Sequence, residues 1–343
     1  MKVPTYELPE AAVAQRPVEP RDAARLLDAS DPGGNVVHRH VRDLPGLLGP
    51  GDVLVVNTSR VFPARLNLFK ATGGAAEVLL LEQNAESPRD WTALVRPGRR
   101  LPPGTFLATA SDAPALLEVA ERLAEGRRRV RFLADPLAVV ESFGTVALPP
   151  YIRTPLADPS RYQTVYADRP GSVAAPTAGL HLTEEVLSRC QARDVRVCGV
   201  DLAVGMATFK PVVADRAEEH QMHIERYQIP PDTWFACRSA RRVVAVGTTT
   251  VRALETAAAT GALQGETDLF IRGDFPFGVV DALMTNFHMP RSTLLLLLES
   301  FCGPRWRTLY ELALRSGYRF LSFGDAMLVS RRPSKGEQRG TVA

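Results

Sequence analysis

Pro50-Gly51-Asp52-Val-Leu-Val-Val-Asn57-Thr-Ser-Arg60 carries the clearest strand signal in the chain. A turn pair precedes a short apolar run, and a polar loop follows it. A buried strand has this form. Polar loops after buried strands are where sheet proteins often place binding groups.

Downstream the composition changes. From about Leu66 to Pro150 the apolar segments are short and separated by Gly-Gly, Ser-Pro, Arg-Pro-Gly and Pro-Pro-Gly. Ala76–Leu81, Trp91–Val95 and Arg129–Leu133 are examples. Short strands at this spacing predict a small all-β domain. Residues 114–129 fit either a helix or two strands joined at Glu125-Gly126. From about Pro150 strands alternate with longer helices. Helices are predicted over Glu184–Ala192 (Thr183 as N-cap), Thr233–Arg241, Val251–Thr260, Ser292–Cys302 and Arg305–Ser316. Strands are predicted over Val195–Leu202, Arg242–Gly247, Leu269–Ile271 and Val279–Val280. The fold class is therefore α/β, with a larger domain (1–65 plus 151–330) interrupted by a small β-barrel-like domain (66–150).

The 343 residues, 45% hydrophobic and 23% charged, suffice for two cores and exclude wholesale disorder, a disulfide scaffold and a fibre. Forty-one Lys and Arg against 38 Asp and Glu give a net charge of +3. Residues 331–343 hold four basic residues and one acidic one, so the body before this tail is neutral overall. The tail is expected to be disordered, and any polyanion site must come from local clustering. The four cysteines form no CxxC pair, so free thiols are expected and no structural metal site. The opening MKVPTYELPE lacks a signal-peptide core. The Leu294–Leu298 run is far shorter than the ~20 residues of a membrane span. A cytoplasmic location with no membrane association is expected.

No nucleotide-fingerprint glycine loop, phosphate loop, zinc-protease or nucleophile-elbow motif occurs. Gly247-Thr-Thr-Thr-Val-Arg252 is a strand-to-helix loop. Its Thr248 and Thr249 can hold an anion at a helix N-terminus or act only as caps. His181, in Pro176-Thr-Ala-Gly-Leu-His181, can move a proton near neutral pH or be structural. His220-Gln-Met-His223-Ile-Glu225 gathers two imidazoles and a carboxylate. Metal binding and acid–base work both use such sets, but the strand-like run from Ile224 disfavours one helical face. Asp281–Ser292, with Asn286 and His288, is the densest polar patch beside apolar chain. Arg60, Arg65 and Arg252 are candidate anion clamps, or a solvated face.

These residues together resemble the S-adenosylmethionine:tRNA ribosyltransferase-isomerase family of the queuosine pathway. The resemblance runs in order through Leu8-Pro9, Arg21-Asp22, Pro50–Asp52, Asn57–Leu66, Leu148–Ile152, Arg161–Ala167 and Ala174–His181. It continues through His220–Glu225, Val246–Glu255, Val280–Pro290 and Tyr318–Met327. It implies an α/β domain carrying an inserted β-barrel-like domain, and favours a hairpin over residues 114–129. It also implies an enzyme that uses S-adenosylmethionine as ribosyl donor, with no metal. The implied partner is tRNA carrying 7-aminomethyl-7-deazaguanine at the wobble position. The ribosyl unit is transferred and isomerised to give epoxyqueuosine, and adenine and methionine leave. On that basis His181, His223 and Glu225 are expected to move protons. Thr248, Thr249 and Arg252 are expected at the methionine or ribose end, Asn286 and His288 at adenine or ribose, and Arg60 and Arg65 on tRNA. A monomer is expected. The chain departs from the family pattern at Ala203 (histidine in the family), Ala207 (glycine) and Gly273-Asp274 (Pro-Gly). These departures leave a diverged paralogue with another acceptor, or a non-catalytic tRNA-binding protein, as alternative readings.

Overall fold

The computed structural model describes residues 1–31, 34–84, 86–205 and 214–333. Ala207 and the tail beyond Pro333 lie outside the described residues. Two compact units emerge: Met1–Arg60 with Pro149–Ala343, and Val61–Leu148.

The first unit is built on a nine-stranded mixed sheet. Its order is Gln264–Thr267, Glu225–Gln228, Arg196–Leu202, Asp52–Asn57, Arg242–Val246, Ala282–Asn286, Ala326–Ser330, Arg25–Ala29 and Val37–His40. Asp52–Asn57 is central and buried at all six residues. It runs parallel to Arg196–Leu202 and Arg242–Val246, and the latter is parallel to Ala282–Asn286. An unbroken apolar run belongs in such a place because both sheet faces are covered. Val53, Val55, Val243 and Ala245 pack on one face with Ala236, Leu254, Leu297 and Trp306 from four helices. Those helices are Pro231–Ser239, Thr248–Thr260, Thr293–Cys302 and Arg305–Arg315. Leu54, Val56, Val244 and Val246 pack on the other face with Val186 and Cys190. These come from helix Glu184–Gln191, whose N-cap Thr183 accepts from the Val186 N–H at 3.2 Å.

Several sequence expectations need correction. Leu269–Ile271 and Val279–Val280 are not strands. The carbonyl of Leu269 accepts from Arg252 Nε. The N–H groups of Gly278, Val279 and Val280 all donate to the buried Glu255 carboxylate, at 2.7–3.1 Å. Side chains have taken the place of a ladder partner. The polar patch 281–292 contains a buried strand, Ala282–Asn286. The helix expected from Val251 starts one turn earlier, at Thr248. The helix expected to reach Arg241 ends at Ser239, and Arg241 instead pairs with Asp52 at 2.7 Å. His220 and His223 lie on no helix. The cysteines need no correction: all four are free thiols as expected, and three of them are buried.

The second unit is a closed six-stranded antiparallel barrel. Its strands run in the order Arg65–Lys70, Ala75–Gln83, Asp90–Arg96, Arg127–Phe132, Leu117–Arg122 and Thr105–Ala108, and the last closes on the first. Alternation fills the inside: Leu66 and Leu68 are buried, while Asn67 and Phe69 face out. Residues 114–129 contain the start of a hairpin, Leu117–Arg122 paired with Arg127–Phe132. A helix, Pro136–Phe143, capped by Asp135, precedes a short return strand. In that return Gly144 and Thr145 pair with Leu66 and Arg65, so the unit's two ends are adjacent.

Candidate functional site

The four parallel strands end together. Their last residues, Leu202, Asn57, Val246 and Asn286, bring the following loops to one edge of the sheet. Ligands of open α/β sheets bind beyond this carboxyl edge. Asn57 fastens it. Its Nδ2 donates to Leu202 O at 3.0 Å and Thr249 Oγ1 at 3.2 Å, and its Oδ1 accepts from the Leu202 and Ser59 N–H groups.

Beside Asn57, helix Thr248–Thr260 opens with Gly247 at φ 87°, in the left-handed region that a side chain rarely adopts. No side chain caps this helix, and Thr248 and Thr249 are buried. Gly247, Thr248 and Thr249 line a small cleft, together with Thr177, Val204, Thr285, Asn286, His288 and Leu294. Buried helix N-termini need partners, and an anion or a hydroxyl-rich ligand supplies them.

A hydrogen-bond chain runs from the cleft wall to His181, which lies behind Asn286 and lines a separate small cavity with Arg21 and Arg161. Thr177 Oγ1 donates to Asn286 Oδ1 at 2.9 Å, and Asn286 Nδ2 donates to His181 Nε2 at 3.0 Å. His181 closes the short 3-10 turn Thr177–His181 and is buried. Burial, then the charges of Arg319, Arg161 and Arg21, lower its pKa to about 3. Its imidazole is neutral at pH 7, with Nε2 as acceptor and the proton on Nδ1. His288 is likewise pushed to about 3 by burial. Its ring Nε2 lies 3.0 Å from Thr285 Oγ1, and its backbone is clamped: the N–H donates to Tyr310 Oη at 2.8 Å, and the carbonyl accepts from Tyr6 Oη at 2.5 Å.

The remaining expected residues fall elsewhere. Glu225 and Arg252 form a buried ion pair. Arg252 also donates to Leu269 O and Thr267 O, and Glu225 accepts from the Gly205 N–H. They line a second cavity with His220 and the exposed His223, and Leu294 borders both cavities. The structure therefore gathers His181, Thr248, Thr249, Asn286 and His288, and sets His223, Glu225 and Arg252 apart. Arg252 is paired with a carboxylate and lines the second cavity. Arg60 is exposed in the first unit. Arg65 belongs to the barrel unit and lies 3.6 Å from Glu77. Ala203 follows the end of its strand, donating its N–H to Arg226 O at 3.0 Å. Among the described residues no three His, Cys, Asp or Glu side chains are grouped to hold a metal, and no helix is long and apolar enough to cross a membrane.

Sequence reasoning missed Thr177 and the fastening role of Asn57. Asn57 was signalled by its position, an amide ending an apolar run. Thr177 carried no signal, because its partner is 109 residues away.

A family model described as queuosine biosynthesis protein matches residues 2–329. The S-adenosylmethionine:tRNA ribosyltransferase-isomerase of Thermus thermophilus is 52% identical over 341 residues, covering 94% of this chain and 97% of that protein. The protein of the same name from Rubrobacter xylanophilus is 50% identical, covering 94% and 96%. A crystal structure of S-adenosylmethionine tRNA ribosyltransferase from Thermotoga maritima matches with a TM-score of 0.53 and 37% identity, over 95% of this chain and 99% of that one. With nearly its whole length matched, and with the sheet edge and barrel in the same chain, this protein belongs to the queuosine biosynthesis protein family.

Proposed function

We propose that the chain is an S-adenosylmethionine:tRNA ribosyltransferase-isomerase, acting as a cytoplasmic monomer on tRNA that carries 7-aminomethyl-7-deazaguanine at the wobble position. The observation that carries this reading is the uncapped, buried N-terminus of helix Thr248–Thr260, opening on a cleft walled by Asn286, His288 and Thr177. These residues fit the donor substrate. Thr248 and Thr249, with the first-turn N–H groups, hold its carboxylate or ribose hydroxyls. Asn286 and His288 hold adenine or ribose through amide and imidazole.

The substrate's sulfonium supplies acidic C5′ hydrogens and a leaving group, so no metal is called for. The protein's contribution is to move protons and to avoid repelling that cation. Two neutral imidazoles meet the second demand. His181, held through Asn286 and Thr177, is the leading candidate for proton transfer, which requires its Nε2 to exchange the Asn286 hydrogen bond for the substrate. His223 and Glu225 belong to the adjoining cavity, where the acceptor amine must lose a proton before attack. Arg60 and Arg65 contact tRNA.

Adenine release, with mass spectrometry of the tRNA, tests the reading. Release is expected only with S-adenosylmethionine and the modified tRNA together. His181→Ala is expected to cut the rate roughly 100-fold or more, the usual scale of a proton-transfer group, with folding retained. Release with a different acceptor, or tRNA binding without release, would overturn the proposal in favour of a diverged or non-catalytic relative.

A further inference from the structure

The barrel carries eleven basic and ten acidic residues between Val61 and Leu148, so its total charge says little. Their distribution says more. Strand register places three connections at one rim: the 71–74 turn, the 97–104 connection and the 123–126 turn. Arg96, Arg99, Arg100, Arg122, Arg127 and Arg128 all sit there, with Lys70 beside them. At the opposite rim are the exposed Glu86, Asp112 and Asp135. Glu121 and Glu125 share the basic side, and Arg89 and Arg131 lie toward the other end, so the barrel's polarity is a net excess of arginine at one rim.

The basic rim works against the fold. Arg96, Arg99, Arg100 and Arg122 are exposed and form no ion pair among the described residues. Arg122 and Arg128 stand directly opposite each other in the ladder, an unfavourable like-charge pairing. Arg128 is only 9% exposed. Its guanidinium donates to Arg127 O at 3.0 Å and Gly98 O at 3.3 Å, while its Nε has no partner. A buried cation held by carbonyls and flanked by like charges is costly without an anion. Arginine is also the residue whose planar fork matches phosphate.

Two aromatic rings adjoin this rim. Phe69 and Phe106 are 38% and 52% exposed, on neighbouring strands. Phe69 pairs with Ala108, which makes Phe106 its diagonal neighbour on the outer face. Exposed aromatics beside an arginine cluster suit unpaired bases, whose π-faces stack while phosphates meet the cations. An acidic protein would use the arginines and leave the rings without a role.

We propose that this rim is an RNA-docking surface, taking sugar-phosphate on the arginines and an unpaired base on Phe69 and Phe106. The inference rests on the reading that the chain acts on tRNA, and it assigns the barrel a share of that binding. The test is tRNA binding by the full chain across a salt series. Arg99→Ser, Arg100→Ser and Arg122→Ser combined should weaken binding roughly 10–100-fold at 0.1 M salt and lower the slope of log K against log salt by about two. Phe69→Ser with Phe106→Ser should weaken binding roughly ten-fold or more with the slope unchanged. Arg89→Ser, near the other rim, should bind as wild type. Circular dichroism and melting temperature check that each variant is folded.

If wild-type chain releases adenine and binds tRNA, while folded rim variants bind equally well, the docking surface is refuted and the function reading stands. If wild-type chain neither binds nor modifies tRNA, the function reading fails and takes this inference with it. Retained tRNA binding with lost binding of polyglutamate would assign the rim to an acidic protein and also refute the inference.

Discussion

His181 and His288 link the cleft to pH. Each has an ordinary value of 6.5 lowered to about 3 in the folded chain. Below 6.5 the unfolded chain takes up a proton at each imidazole and the folded chain does not. Stability should therefore fall as pH drops from 6.5 toward 3, and stay level above 6.5 as far as these groups are concerned. The limiting slope is about 1.4 kcal/mol per pH unit for each histidine. Urea midpoints at pH 7.5 and 5.5 measure it, and His288→Asn should remove its share of the loss; an unchanged difference between the two midpoints would count against it. The Glu225–Arg252 pair behaves differently, because both partners are buried. Arg252→Met removes the cation that faces the buried Glu225 carboxylate and should cost about 3–5 kcal/mol in denaturant unfolding. Adding Glu225→Gln should recover much of that cost; strict additivity of the two variants would mean that the side chains are not coupled.

At the scale of elements, a carboxylate does what a strand would otherwise do. Glu255 is buried on helix Thr248–Thr260 and accepts from three consecutive N–H groups, those of Gly278, Val279 and Val280. Glu255→Ala leaves all three without that acceptor, and at about 1–3 kcal/mol for a single orphaned group the loss should exceed 2 kcal/mol. Glu255→Gln keeps an acceptor oxygen and should lose less, so equal losses for the two variants would exclude the backbone as the reason for the effect. This contact also explains why Val279–Val280, which reads as a strand from sequence, is not one. Two β-branched residues look like ladder material, and only a long-range partner says otherwise. Asp52–Asn57 was legible because its apolar run is continuous and its turn is local. Ala282–Asn286 was not, because Thr285 and Asn286 make its end look polar, and their burial depends on His288 and His181. Thr177–His181 adds a steric demand. A Cβ on Gly179 would lie 1.9 Å from the phenol oxygen of Tyr166. Gly179→Ala should lower both the melting temperature and adenine release, and Tyr166→Phe in the same chain should restore part of each.

For the molecule as a whole, the two units have separate cores, and the barrel's first and last strands pair with each other. The composition break near Leu66 made the insertion legible, since short strands with Gly and Pro between them differ from alternating strands and helices. Charge was less legible. A total of +3 and a basic tail hid the polarity of the barrel, which depends on register and therefore on which turns share a rim. Because the barrel begins and ends at adjacent positions, replacing residues 61–148 by a short Gly-Ser linker closes a small gap at low entropic cost. The remaining chain keeps the nine-stranded sheet and the cleft at its carboxyl edge. S-adenosylmethionine at 100 times its dissociation constant should stabilise this shortened chain by about 2.7 kcal/mol. That corresponds to a rise in melting temperature of about 5–10 °C, similar to the full chain. Affinity for tRNA should fall in the shortened chain. A folded deletion chain that no longer responds to S-adenosylmethionine would show that donor binding needs the barrel, and would take the donor site away from the sheet edge alone.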